Sequence, residues 1–149
     1  MKRKIYIGAD SAGYILKGEV IAHLENRGYE CFDLGCDSTE SCHYPIFAEK
    51  VSEAVQADLD GSFGILICGT GIGMSMCANK HKGIRAAVCS DTYSAKMTRC
   101  HNDANVLCIG ARVIGSCLAL DIVDSFLGAN YEGGRHAIRV GMMSDIENK

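Results

Sequence analysis

The sequence predicts an α/β fold, an open parallel sheet of five strands covered by helices on both faces. Two observations carry this. Short apolar runs suited to buried strands alternate without a break with longer segments of helical period. No linker, low-complexity stretch or repeat interrupts the 149 residues, enough for one domain with a proper core.

Lys4 to Ala9 reads as the first strand. Tyr14 to Arg27 follows as a helix, with Leu16, Val20 and Leu24 on one face and Gly28 as its stop. Tyr29 to Leu34 is the second strand, and a polar loop leads to Tyr44. Pro45, the only proline, suits the first turn of a helix whose inner face is Phe47, Val51 and Val55. The turn Asp60-Gly61 precedes a third strand, Phe63 to Cys68, and a helix from Met74 to Asn79 leads on to Gly83. A fourth strand, Ile84 to Cys89, is followed by a helix capped by Ser90 or Asp91 and running toward His101. Val106 to Ile109 makes the fifth strand. Ser116 to Leu127 is a helix with Ala119, Ile122, Val123 and Phe126 inward, and Ile138, Met142 and Ile146 mark a last helix from about Arg135.

Composition narrows the function classes. A net charge of −3 with no basic run gives no support for nucleic-acid binding. No stretch approaches membrane-spanning length, and the start MKRKIYIGAD reads as a strand rather than a signal peptide. The nine cysteines form no C-x-x-C pair, and several sit inside strand or helix patterns. That argues against a disulfide framework or zinc site and for a reducing, cytoplasmic setting.

Chemistry concentrates in GILICGTGIGMS, Gly64 to Ser75. A buried strand delivers Cys68 to its end, and Gly69, Gly71 and Gly73 open a helix. Such a junction presents unpaired N–H groups to whatever sits above the strand, so an anion or a forming oxyanion is held there. A thiol beside those donors is biased toward thiolate, the form that acts as base or nucleophile. The spacing G-x-G-x-G places Met74 where a dinucleotide fingerprint has its third glycine, which disfavours a nicotinamide cofactor. Met74 also stands six positions after Cys68, where a cysteine phosphatase needs arginine. Cys89 and Cys108 occupy comparable strand positions and read as core.

Ligands of such sheets bind at the carboxyl ends of the strands. That rule collects Asp10-Ser11, Cys68 to Ser75, Ser90-Asp91 and Gly110 to Arg112 on one rim, with the loop at His43-Tyr44 within reach. Arg135 and Arg139 lie four apart on one helix face after Gly133-Gly134, able to grip a phosphate together, with Arg112 as a third phosphate ligand. His101 stands at a helix end. His23 and His81 are expected to face solvent, and His136 is left undecided.

With Cys68-Gly69-Thr70-Gly71, His101-Asn102-Asp103 and Gly133-Gly134-Arg135-His136 in one chain of this size, the sequence resembles the type B ribose-5-phosphate isomerases. That family also holds the galactose- and allose-6-phosphate isomerases, and the resemblance covers essentially the whole chain. It implies a Rossmann-like α/β/α sandwich, a homodimer with each active site built across the subunit interface (a tetramer being the further assembly), and no metal or organic cofactor. It further implies aldose–ketose isomerisation of ribose 5-phosphate and ribulose 5-phosphate, a step of the pentose phosphate pathway. His101 would assist ring opening, and Cys68 would remove the C2 proton. Thr70 would move protons between O1 and O2, and the N–H groups of Gly69, Gly71, Ile72, Gly73, Met74 and Ser75 would cover the cis-enediolate. Asp10 and Asn102 would hold sugar hydroxyls beside Tyr44, and Arg112, Arg135 and Arg139 would bind phosphate. Two departures bear on the sugar. The family usually has Asp-His where this chain has Asp10-Ser11, and often Asp-Tyr-Pro where it has His43-Tyr44-Pro45. His43 as a partial replacement, a pocket reshaped for a hexose 6- or tetrose 4-phosphate, and Ser11 still bonding phosphate all fit. Rival readings of another class are a non-catalytic phosphosugar-binding subunit and a redox-sensing thiol protein.

Overall fold

The computed structural model describes residues 2–149. The elements in chain order are β1 (Lys4–Ala9), α1 (Tyr14–Asn26), β2 (Cys31–Asp33), α2 (Tyr44–Gln56), β3 (Ser62–Cys68), α3 (Ile72–Ala78), β4 (Ala86–Val88), α4 (Thr92–Asn102), β5 (Val106–Gly110), α5 (Ser116–Leu127) and α6 (Arg135–Glu147). All strand pairs are parallel, in the order β2-β1-β3-β5-β4. The expected five-stranded α/β/α sandwich is the observed one.

Direction of travel across the sheet sets which face each helix covers, because crossovers of one hand that step in opposite directions must lie on opposite faces. The steps β1 to β2 and β4 to β5 run one way, and their helices α1 and α4 share a face with α5. Leu16, Val20, Ala95, Ile122 and Phe126 pack there against Ile5, Ile7, Ile65 and Leu107. The steps β2 to β3 and β3 to β4 run the other way. Their helices α2 and α3 bury Val51, Val55, Met74 and Ala78 against Leu66, Val106 and Cys108 on the second face. Helix α6 belongs to neither layer. It packs lightly on α4, and only His136 of its residues is buried. Its apolar stripe Ile138, Met142 and Ile146 is 59–69% exposed.

The two strands that fall short of their expected spans, β2 and β4, are the two edges of the sheet. In each, the preceding turn captures the first residues. Tyr29 donates its N–H to Leu24 O at 3.1 Å, closing α1, and Ile84 donates to His81 O at 3.2 Å. The β4 edge is covered by Asn79, whose side chain exchanges two hydrogen bonds with the Ala86 backbone. Helix α3 starts at Ile72, two residues earlier than its apolar pattern indicates. His23 does not face solvent. Its Nε2 lies 2.8 Å from Asp124 Oδ1 and ties α1 to α5. His81 is half-buried, with Nδ1 3.1 Å from Cys77 O.

Candidate active site

The connections leaving β1 and β3, neighbours in the sheet, depart toward opposite faces, which opens a crevice at their carboxyl ends. Cys68 is the last residue of β3, buried at 4% exposure and paired in register with Gly110. Its carbonyl accepts the Ala111 N–H at 2.9 Å, and its Sγ receives the Gly71 N–H at 3.1 Å. That donor holds the sulfur at the mouth of the turn, where a thiol can exchange a proton with a bound molecule. Gly71 makes the contact from a left-handed backbone, φ +80°, at the N-cap of α3. A Cβ there would stand 2.9 Å from the Ile109 carbonyl carbon and from Val88 Cγ2. Only glycine fits.

Around this turn the rim residues converge. Arg112 donates its N–H to Gly69 O at 3.0 Å and lays its side chain over Gly69, where a Cβ would be 3.5 Å from Nη1. Tyr44, the first residue of α2, presses on the first turn of α3, where a Cβ on Gly73 would be 2.7 Å from its ring. Asp10 follows β1, its N–H on Ile67 O at 3.1 Å and its Oδ1 accepting the Gly13 N–H at 3.1 Å. Ser11 follows it, half-buried, and His43 is the exposed N-cap residue of α2. Thr70 is exposed, its Oγ1 accepting the Ile72 N–H at 3.2 Å.

The donor set is narrower than the run Gly69 to Ser75. The Gly71 N–H serves Cys68, the Ile72 N–H serves Thr70, and the Ser75 N–H closes the helix on Gly71 O at 3.1 Å. Ser75 Oγ turns back to Ile72 O, and the Met74 side chain is core. Gly73 and Met74 retain first-turn N–H groups. Cys89 and Cys108 are core as expected. Burial pushes the Cys89 thiol up to about 11 and the Cys108 thiol well above the usual range.

A second group of expected site residues lies at the other end of the sheet. Helix α4 descends from Asp91, whose Oδ1 caps it by accepting the Ser94 N–H at 2.6 Å, and ends at Asn102 just before β5 begins. His101 and Asn102 therefore stand at the amino-terminal edge, not on the rim with Cys68. The chain returns there at residues 132–136, where the Glu132 N–H bonds Cys100 O at 3.0 Å. His101 and His136 stack with centroids 4.2 Å apart and planes 10° apart. Glu132 reaches both, Oε2 3.6 Å from His101 Nε2 and Oε1 4.0 Å from His136 Nε2. Burial, then the neighbouring His101 and Arg135, lower the His136 pKa. Arg135 and Arg139 project from successive turns of α6 beside this cluster, both exposed. A groove of ≈ 490 Å³ runs from Asn102 and Arg85 along the β4 edge to Met143 and Ile146 under α6. Glu132 carries no part in the expected site; it lies before α6, and only the bond of its N–H to Cys100 O brings it to both rings.

A buried thiol under an N–H cradle, with arginines and polar side chains at two ends of a doubly wound sheet, has the make-up of an enzyme that moves a proton on an anionic substrate. Residues 5–143 match the family described as Ribose/Galactose Isomerase, and the chain belongs to that family. It is 53% identical over 148 residues to the ribose-5-phosphate isomerase B of Escherichia coli K12, covering 99% of this chain and 98% of that one. The ribose-5-phosphate isomerase B structure of Clostridium thermocellum matches with a TM-score of 0.95 at 54% identity, over 97% of both chains. That of Mycoplasma genitalium, with bound ribulose-5-phosphate, matches with a TM-score of 0.97 at 39% identity, over 100% of this chain and 99% of that one. No helix among the described residues is long and apolar enough to cross a membrane.

Proposed function

We propose that this chain interconverts ribose 5-phosphate and ribulose 5-phosphate without a cofactor, in sites that two copies of the chain build together. The observation that carries the chemistry is Cys68 Sγ at the mouth of the β3–α3 turn with the Gly71 N–H on it at 3.1 Å. Full-length relatives named for that reaction, one of them holding ribulose-5-phosphate, supply the substrate class.

His101 of the partner subunit assists opening of the furanose. Cys68 then removes the C2 proton, and the electrons flow into the C1 carbonyl to give a cis-enediolate. Preorganised N–H groups of the β3–α3 turn stabilise its oxyanion, Thr70 moves a proton between O1 and O2, and Cys68 returns its proton to C1. Asp10, Tyr44 and Asn102 hold the sugar hydroxyls. Arg112 from one subunit and Arg135 and Arg139 from the other bind the phosphate, whose binding energy orients C1 and C2. The dimer has its support in topology. Cys68 and His101 lie at opposite ends of one sheet, and the exposed stripe Ile138, Met142 and Ile146 supplies an apolar face beside Arg135 and Arg139.

The test is a coupled assay of the purified chain on ribose 5-phosphate beside allose, galactose and tetrose phosphates, with Cys68→Ala as control. Ribose 5-phosphate turns over with the highest kcat/KM, and Cys68→Ala loses activity by at least about 10²-fold, the scale of a positioned general base. Full activity in that variant removes the base. A higher kcat/KM on a hexose or tetrose phosphate reassigns the sugar and makes Ser11 and His43 the residues to exchange.

A further inference from the structure

The cluster at the end of α4 holds more chemistry than ring opening uses. His101, Glu132 and His136 each offer a ligand atom, and these atoms all lie within 4.8 Å of one another. Tetrahedral zinc, with bonds of about 2.0–2.2 Å to imidazole and carboxylate, holds its ligand atoms roughly 3.3 Å apart. The trio is thus close to closure. The backbone already gathers it, since the Glu132 N–H bonds Cys100 O and the His136 N–H bonds Gly133 O, both at 3.0 Å. His136 is the buried, fixed member, with an 11% exposed side chain. Those of His101 and Glu132 are 36% and 53% exposed and have room to move. One rearrangement is required. Stacked rings 10° apart keep their lone pairs in two nearly parallel planes, so His101 must turn out of the stack for both to meet one ion.

The donor set selects the ion. Two imidazoles and one carboxylate with an open position suit zinc-type transition metals, whereas calcium and magnesium want oxygen ligands throughout. Glu132 cancels one of the two positive charges, and the carbonyl end of α4 favours a cation at His101. Arg135, Arg139 and the amino-terminal end of α6 act against it. The balance makes a reversible, loadable site, not a permanently filled one.

We propose that His101, Glu132 and His136 form a binding site for a divalent transition-metal ion of the zinc type, and that its occupancy switches the isomerase off by taking the His101 lone pair. The inhibitory half rests on the role given to His101 above; the binding half does not.

Cobalt(II) is the probe, titrated into the reduced full-length protein and into E132Q and H136N, with zinc chloride as competitor. One equivalent binds per chain with visible d–d bands and without the near-ultraviolet band of cobalt–thiolate, and zinc displaces it. Affinity falls about tenfold or more in each variant, the cost typical of disturbing a metal's ligand shell. Zinc inhibits the wild type reversibly with EDTA, and its half-inhibitory concentration rises by the same factor in E132Q. A dominant thiolate band puts the metal on cysteines such as Cys68, and binding and inhibition unshifted in E132Q leave Glu132 off the ion; either result overturns the site. Binding at the trio without inhibition overturns the switch and His101's role together, while Cys68→Ala tests the base independently.

Discussion

Two separately inactive chains should restore an active enzyme when combined, and the sheet says by how much. Ring opening and C2 deprotonation act on neighbouring atoms, so their acid and base must stand within hydrogen-bond reach of a few bonds of one sugar. Within one chain they do not. Cys68 is level with Gly110 at the carboxyl end of β5, and His101 lies beyond Val106 at the other end. The four steps from Val106 to Gly110 alone span about 13 Å. In a two-fold dimer each site then takes Cys68 from one subunit and His101 from the other. A heterodimer of Cys68→Ala with His101→Asn has one site with both defects and one with neither. With different tags on the two variants and tandem purification of the mixed dimer, kcat per dimer should be about half the wild-type value with KM unchanged. An unsorted equal mixture should reach about a quarter. A purified heterodimer no more active than its parents would refute the shared site, since residues acting within one chain leave both sites defective.

Three further perturbations follow. Gly71→Ala places a Cβ at φ +80° against the Ile109 carbonyl and displaces the N–H on Cys68; urea unfolding should show a loss of about 1–2 kcal/mol from backbone strain alone, with kcat falling alongside. Lys17, 2% exposed, holds Asp33 Oδ1 at 2.7 Å and Cys36 O at 2.5 Å. Lys17→Met keeps its length but strands the buried carbonyl, so stability should drop by about 1–3 kcal/mol with an unchanged m-value. Asp91, whose carboxyl is held below its ordinary 3.8 by the Ser94 N–H, gives stability that is present above that value. It is lost as pH falls through the lower folded value, because the unfolded chain then binds the extra proton. Asp91→Asn should flatten that acid-side decline in a thermal-unfolding series.

What the chain discloses along its length and what it hides differ in kind. Local pattern located β1 and α5 to the residue, since both are ruled by buried periodicity: Ile5, Ile7 and Ala9 in one, Ala119, Ile122, Val123 and Phe126 in the other. It overran β2 and β4, which open on the large apolar residues Tyr29 and Ile84, because the preceding turns take the N–H groups of both. The thiol and its glycine turn were legible for the same reason as α5, being contiguous. Glu132 was not, because its meaning depends on the end of α4, thirty residues earlier in the chain.

The placement of His101 is the instructive case. Its role comes from the family resemblance alone, and nothing local says at which end of the sheet a helix terminates. That follows from counting: a helix that leaves the carboxyl rim after β4 and must enter β5 at its amino end brings its last turn to the far edge. Residues at α-helix ends before a parallel strand are thereby always removed from the rim of their own sheet. When such a residue carries rim chemistry, a second molecule must present it. Helix α6 packs on the very helix that carries His101, and its exposed apolar stripe, beside Arg135 and Arg139, is where that second molecule's surface is expected to meet this one. Ile138→Asp should therefore weaken association and activity together, while leaving the core clusters and the monomer's helical content intact, as sedimentation and far-ultraviolet circular dichroism would report. Loss of activity from an intact dimer would break that link.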